Sequence, residues 1–371
     1  MAAYLIKRLL LMIPTLFGIM LISFVIVQFA PGGPVERVIA QLTGTDTGAV
    51  SRIGGAGGDG LSGAALQSDS ATGGNIVSKY RGAQGLDPEF IKELERQFGF
   101  DKPAHERFFL MMGNYLTFNF GNSYFRDTPV LTLIIEKLPV SISLGLWMVL
   151  LTYLISIPLG IRKAVHDGEA FDTWTSGVLV VGYALPGFMV GVFLLVLLAG
   201  GSFLQLFPTR GLTSENWDQL SLIGRIADYF WHLTLPLIAL AIGAFTQLTF
   251  LTKNSFIDEI RKQYVLTARA KGLKENQVLY GHVFRNAMLI IIAGFPAAFI
   301  FAFFSGSLLI ETIFSLDGIG LLGFESIINR DYPVVFATLF IFSLLGMVVQ
   351  LITDFIYTLV DPRIDFESRE T

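Results

Sequence analysis

The chain contains no cysteine in 371 residues. That excludes disulfides, thiolate nucleophiles and thiolate metal sites. It is also poor in charge: 15% of residues are Asp, Glu, Lys or Arg, against roughly a quarter in an ordinary soluble protein. Its four histidines, His105, His166, His232 and His282, are far apart and show no paired-ligand spacing, so no metal site is expected. No G-x-x-x-x-G-K-[ST] phosphate loop occurs. If ATP drives this protein, the nucleotide binds another chain. Searches for G-x-S-x-G, H-E-x-x-H and paired membrane aspartates find nothing, which argues against an intramembrane enzyme.

What the chain has instead is apolar residues in blocks: 53% are hydrophobic and the mean hydropathy is +0.61. Six runs stand out, at Leu9 to Ala30, Val140 to Ile161, Trp174 to Gly200, His232 to Leu251, Ala287 to Ile310 and Val334 to Leu359. The first has 22 residues, which at 1.5 Å each reaches about 33 Å, enough for a hydrocarbon core of ~30 Å. It is too long for a signal-peptide core, and no small-x-small cleavage site follows it. The runs are too long and too unalternating for barrel strands. The fold class is therefore an all-α polytopic membrane protein with six transmembrane helices and a large external insertion after the first. Net charge, −4, says little here because its distribution matters more.

Lys7 and Arg8 precede the first run, which puts the N-terminus inside. Six spans then put the C-terminus inside too. Short loops on that side carry nine basic residues: Arg162, Lys163 and seven between Lys253 and Arg285. The outer short loops carry Arg210, Arg225 and Arg330. This asymmetry supports the orientation. The resulting organisation is a first helix over 1–30, an outer (periplasmic) region over 31–137, a transmembrane domain over 138–360 and a tail over 361–371. Within the outer region, 44–85 contains 12 glycines in 42 residues, a composition that buries too little apolar surface to offset ordering entropy. The remainder, 86–137, reads as a helical cap. Asp87 is a candidate N-cap, Pro88 the first helical residue and Gly99 the stop, with Phe90, Ile91, Leu94 and Phe98 at helical spacing. A second amphipathic helix follows from Pro103 to Phe118, with Phe108, Met111, Met112 and Tyr115 on its apolar side.

One formal G-x-G-x-x-G occurs, Gly318-Ile-Gly320-Leu-Leu-Gly323. It lies between two spans rather than in a βαβ unit, and reads as a tight turn. Span interiors hold almost no charge. Glu311, Arg330, Asp331 and Asp354 all fall near span ends, which weighs against an ion-coupled carrier. Polar contacts between helices are the expected role of Asp354 and Gln247.

The most informative stretch is the charged island from Lys253 to Ala287. Ile257, Ile260, Tyr264 and Ala268 share one helical face, with Asp258, Glu259, Arg261 and Lys262 opposite. Arg269 and Lys271 fall in the last turn and Gly272 stands where a C′ glycine belongs. Glu275 opens a second helix running to Gly281 or beyond. The residues alone fit a projecting helix–glycine–helix hairpin and an amphipathic helix lying on the bilayer equally well.

YVLTARAKGL followed by HVFRNAML resembles the coupling loop of binding-protein-dependent ABC importer permeases of the dipeptide, oligopeptide and nickel branch. That family's E-A-A-x-x-x-G motif falls with its first three residues on Leu266, Thr267 and Ala268 and its glycine on Gly272. The downstream I-x-L-P falls on His282, Val283, Phe284 and Arg285. The glutamate and first alanine are absent, and Asp317-Gly318 stands where Pro-Gly is usual. The first span, the segments FGFDKPAHERFF and NFGNSYFRDTPV, and the ending SLLIETIFSLDGIGLLGFESIINRDYPVVFATLF are similar to the same family.

The resemblance implies a permease subunit of an ATP-driven importer in a bacterial inner membrane, not itself an enzyme. Its coupling loop would be 253–286, with Thr267, Ala268, Arg269, Lys271 and Gly272 as coupling residues. It implies no cofactor on this chain, since ATP and Mg²⁺ would bind the ATPase subunits. The implied partners are a second homologous permease, two ABC ATPase domains, a periplasmic peptide-binding protein, a peptide substrate and the lipid bilayer, but no nucleic acid. The Gly-rich insert, the GGPVERVIA start and the RIDFESR tail resemble a branch member that imports oligopeptides and peptide antibiotics of the microcin C kind. The alternative is an ion-coupled secondary transporter, or a pore, without an ATPase.

Overall fold

The structure, a computed structural model, describes residues 2–29, 33–35, 38–39, 88–97, 100–200, 203–304 and 308–360. The Gly-rich insert 44–85, the tail 361–371 and the expected cap residues Asp87 and Gly99 lie outside the described residues. The described chain divides into two compact units. One holds the described residues of Met1–Leu16, Ile134–Leu322 and Ile341–Thr371, the other those of Phe17–Leu133 and Gly323–Phe340. All the regular elements described are helical, as a bilayer requires, because a helix satisfies its own backbone polar groups.

In chain order the helices are α1 (Ala2–Phe29), α2 (Pro88–Gln97), α3 (Ala104–Leu116), α4 (Val130–Val165), α5 (Ala170–Ala184), α6 (Gly187–Leu198), α7 (Leu222–Ile260), α8 (Gln263–Ala270), α9 (Glu275–Val278), α10 (Phe284–Phe304), α11 (Leu308–Ile313), α12 (Ile319–Asn329) and α13 (Tyr332–Val360). Among the described residues, five helical segments are long and apolar enough to cross a membrane. They overlap five of the six expected runs. Two helices overshoot those runs: α4 has 36 residues and α7 has 39, about 54 and 58 Å at the helical rise. Both therefore extend beyond a hydrocarbon core of ~30 Å.

The sixth run, Trp174 to Gly200, is not one straight helix. It is the pair α5 and α6, bent by 93°, and counts as a span only if the pair is taken together. The cause is local. Pro186 lacks an N–H and pushes the residue before it out of the helical region, and Leu185 is accordingly extended at φ −88°, ψ 124°.

In the larger unit one core gathers Leu144 of α4, Leu233, Leu235, Leu237 and Ala239 of α7, and Ile310, Phe314 and Leu316 at α11. Close helix approach is set by glycine. A Cβ on Gly187 would lie 2.6 Å from the Ala239 carbonyl oxygen, and one on Gly160 would lie 2.6 Å from Thr252 Cβ and 2.8 Å from the Thr249 oxygen. Such small-residue contacts bring membrane helices together. The expected interhelical roles of two polar residues are present: Gln247 donates to the Tyr183 hydroxyl at 3.3 Å, and Asp354 pairs with Arg8.

Of the G-x-G-x-x-G stretch only Gly318 lies in the expected turn, since Ile319 to Gly323 already form the start of α12, and it is Gly318 whose lack of a side chain has an identifiable purpose. The Glu311 carboxylate, fully buried, accepts from the Leu321 N–H at 2.7 Å. A Cβ on Gly318 would come within 2.6 Å of that carboxyl group. A helix N-terminus leaves N–H groups without intrahelical partners, and here the chain's own carboxyl group accepts from one of them.

In the smaller unit, Ile91 and Leu94 of α2 pack with Val35 and Ile39, while Phe108 and Tyr115 are the buried residues of α3. Both amphipathic patterns of the outer cap therefore correspond to helices. Asp331 accepts from the Tyr124 N–H at 3.0 Å and from the Ser123 hydroxyl. Burial pushes its carboxyl group above the usual carboxylate range.

The α4–α7 contact gives a test. Gly160→Leu overpacks it and is expected to cost about 1–3 kcal/mol. That should be read as a lower thermal midpoint in detergent, whereas Gly177→Ala, with open space around its Cβ position, should leave the midpoint unchanged.

Candidate functional site

The charged island is not a separate loop between spans. Its first residues, Lys253 to Ile260, are the end of α7. The helix expected to run unbroken from Phe256 to Gly272 is interrupted at Lys262, which is extended at φ −77°, ψ 153°. No proline or glycine causes this. Turning there lets α8 fold back so that Val265 and Ala268 join a core of Phe256, Val278, Val283 and Ala287, together with Ile161 and Ala164 of α4. Tertiary burial overrides the modest propensity for a longer helix. Ile257, Ile260 and Tyr264, the other members of the expected apolar face, pack partly buried against the same core. The apolar face is thus covered by the chain itself, which decides between the hairpin and a helix lying on the bilayer.

The turn at Gly272 is a Schellman motif. The Gly272 N–H donates to the Arg269 carbonyl at 2.9 Å and the Leu273 N–H to the Ala268 carbonyl at 3.4 Å. This geometry needs a left-handed residue, and Gly272 sits at φ +81° with open space around it. Beyond it, the Gln277 side chain accepts from the Lys274 N–H at 3.1 Å and caps α9. The second arm does not stop at Gly281. It passes through a π-helical turn, Leu279–Val283, directly into α10, a distortion often found at functional sites.

The five expected coupling residues divide into two kinds. Thr267, Arg269, Lys271 and Gly272 are exposed. Arg269 pairs with Glu275 at 2.9 Å across the turn, an exposed ion pair worth little by itself. Ala268 is only 7% exposed. It packs inward, so the surface offered by the hairpin is made by its neighbours.

Two polar clusters went unrecognised in the sequence. Tyr264 donates to Glu259 at 2.8 Å and accepts from the Asn286 amide at 3.3 Å, bracing both arms. Burial raises the Tyr264 phenol above its ordinary pKa, and the Glu259 hydrogen bond raises that of Lys262. At the base, Lys163 and Asp172 are buried and the half-buried Lys253 pairs with the same aspartate, although both lysines read as loop cations in the sequence. Aspartates at 167 and 172 in a loop otherwise scored only for its basic residues were the available signal.

Residues 156–366, more than half of the chain and including the whole hairpin, match the family "Binding-protein-dependent transport system inner membrane component". The chain is 65% identical over 370 residues to the "Peptidoglycan transport system permease protein YejB" of Agrobacterium fabrum, and 57% identical over 371 residues to the "Inner membrane ABC transporter permease protein YejB" of Escherichia coli O157:H7. Both alignments cover 100% of each chain. It is 33% identical over 371 residues to the "Oligopeptide transport system permease protein AppB" of Bacillus subtilis, covering 99% of this chain and 100% of that one.

The turn makes a local prediction. Gly272→Val forces a β-branched residue into the left-handed region at a cost of about 1–2 kcal/mol. Hydrogen exchange at residues 272 and 273 should then be roughly tenfold faster, while Gly272→Asn, which tolerates this conformation, should change it little.

Proposed function

As the chain belongs to the family of inner-membrane components of binding-protein-dependent ABC importers, whose permeases work with ATPase partners, we propose that it moves peptides inward, driven through the hairpin 261–278. The observation that carries this is the hairpin's construction. It has a buried apolar floor, an exposed polar rim, a first arm joined to the span α7 by a short turn at Arg261 and Lys262, and a second arm that runs on into α10. ATPase subunits that close on ATP would press on Thr267, Arg269, Lys271 and the Gly272 turn, with Ala268 supporting them from below. Displacement of a stiff hairpin biases a bistable helix bundle between two arrangements.

In this reading both termini and the hairpin face the cytoplasm and the 31–137 region faces outward. A second, related permease completes the pathway, and a binding protein delivers substrate. Peptides are the substrate class that the sequence resemblance implies and that the name of the Bacillus subtilis relative prints, while the Agrobacterium fabrum relative is named for peptidoglycan. Peptide-bearing peptidoglycan fragments fall within that class, as do peptide antibiotic conjugates of the microcin C kind. An ion-coupled carrier or pore is less well supported. Among the described residues, the buried acids Asp172, Glu311 and Asp331 are each engaged by protein donors.

The chain, tagged and purified in mild detergent, should bring along phosphate-loop ATPase chains and a related permease. Uptake of a short peptide by that complex in proteoliposomes should require ATP. Arg269→Glu with Lys271→Glu should lower uptake about tenfold while the chain remains in the membrane. Repeated purification of the chain alone, with uptake indifferent to ATP, would sink this reading.

A further inference from the structure

At the base of the hairpin, three helices meet on one carboxylate. Lys163, near the end of α4, is fully buried, and its Nζ lies 2.9 Å from Asp172 Oδ1. The same ammonium group donates to the Asp172 carbonyl (2.8 Å), Thr175 Oγ1 (2.7 Å) and Ser176 Oγ (2.8 Å), all in the first turns of α5. The other oxygen, Asp172 Oδ2, is 2.7 Å from Lys253 Nζ of α7 and accepts from the Gly168 N–H at 3.2 Å. Lys253, 12% exposed, also lies 2.9 Å from Asp167 Oδ1. Asp167 in turn faces Arg261, the residue that caps the C-terminus of α7, at 3.6 Å.

Further along the same helix pair, Thr246 of α7 donates to the Leu179 carbonyl at 3.0 Å, and Gln247 reaches Tyr183. The ties 253–172, 246–179 and 247–183 form a polar ladder from the hairpin base towards the bend at Leu185–Pro186. Burying ions is a poor way to gain stability, since apolar side chains of similar size serve as well. What an ion cluster adds is register: apolar helix faces can slide past one another, whereas a lysine shared between two aspartates holds one alignment.

We propose that Lys253 is a positioning residue that makes α5 follow the hairpin. In the working importer, α7, its hairpin and α5 then move as one body. This rests on the hairpin being the ATPase-driven lever proposed above. Lys163 secures Asp172 on one side. Lys253 joins that anchored carboxylate to the helix the hairpin extends.

The absence of native cysteine makes the test direct. Spin labels are placed through Thr173→Cys on α5 and Gln263→Cys on α8, both exposed positions. The assembled importer is measured in nanodiscs, nucleotide-free and ATP-trapped. The inter-label distance should be the same in both states when Lys253 is intact. With Lys253→Met it should become state-dependent, and uptake per assembled complex should fall about tenfold while ATP hydrolysis stays within about twofold. Lys253→Arg should restore at least half of the uptake.

A state-dependent distance with Lys253 intact would overturn the proposal, and that measurement stands even if Lys253→Met fails to assemble. So would an uptake loss in Lys253→Met that merely tracks the amount of complex. Failure of the chain to assemble with ATPase subunits at all would instead refute the coupling function.

Discussion

The hairpin depends on burial of Phe256 among Val265, Val278, Val283 and Ala287. Its two helical arms, α8 with eight residues and α9 with four, are far below the ~12–15 residues at which a helix is even marginal alone in water. Each fully buried side chain of this size contributes about 1.5–3 kcal/mol, and several converge on one ring. The polar features follow from that core. The Schellman turn, the Glu259–Tyr264–Asn286 brace and the exposed rim all stand where they do because the apolar residues beneath have one way to pack. A lever made of short helices is stiff only if something larger holds it, and here the ends of α4 and α7 do so.

Much of this was legible in the sequence. Long apolar blocks identify the membrane helices because a bilayer leaves the backbone few alternatives. Phe108 and Tyr115 mark the inner face of α3 by their spacing, and Gly272 marks its turn because a left-handed position selects glycine. The break at Lys262 was not legible. Its cause is the meeting of Val265 with Phe256 across a fold, and no local residue announces it. Nor was the bend between α5 and α6, although Pro186 was visible. Proline inside a membrane helix is common, and α4 contains Pro139 and Pro158 without breaking.

Charge was the least transparent property. Counting cations by side of the membrane treats every loop lysine alike, yet Lys163 and Lys253 are internal fixtures while Arg269 and Lys271 are surface groups. The difference lies in Asp167 and Asp172, acids that the count ignores. Glu311 teaches the same lesson in the same unit. The G-x-G-x-x-G stretch opens a helix onto a carboxyl group that belongs to the chain itself.

The bend at Leu185–Pro186 constrains what can surround this protein. Taken as one span, α5 and α6 place a stretch of non-helical backbone at bilayer depth. Pro186 offers no N–H to the last turn of α5, and residues 183 to 186 are exposed in the isolated chain. The Gly182 and Pro186 carbonyls accept from the Leu185, Met189 and Val190 N–H groups, but hydrocarbon offers no donors to the backbone between them, and open backbone persists within a membrane only against protein or water. Lipid tails are therefore the wrong neighbour for this corner.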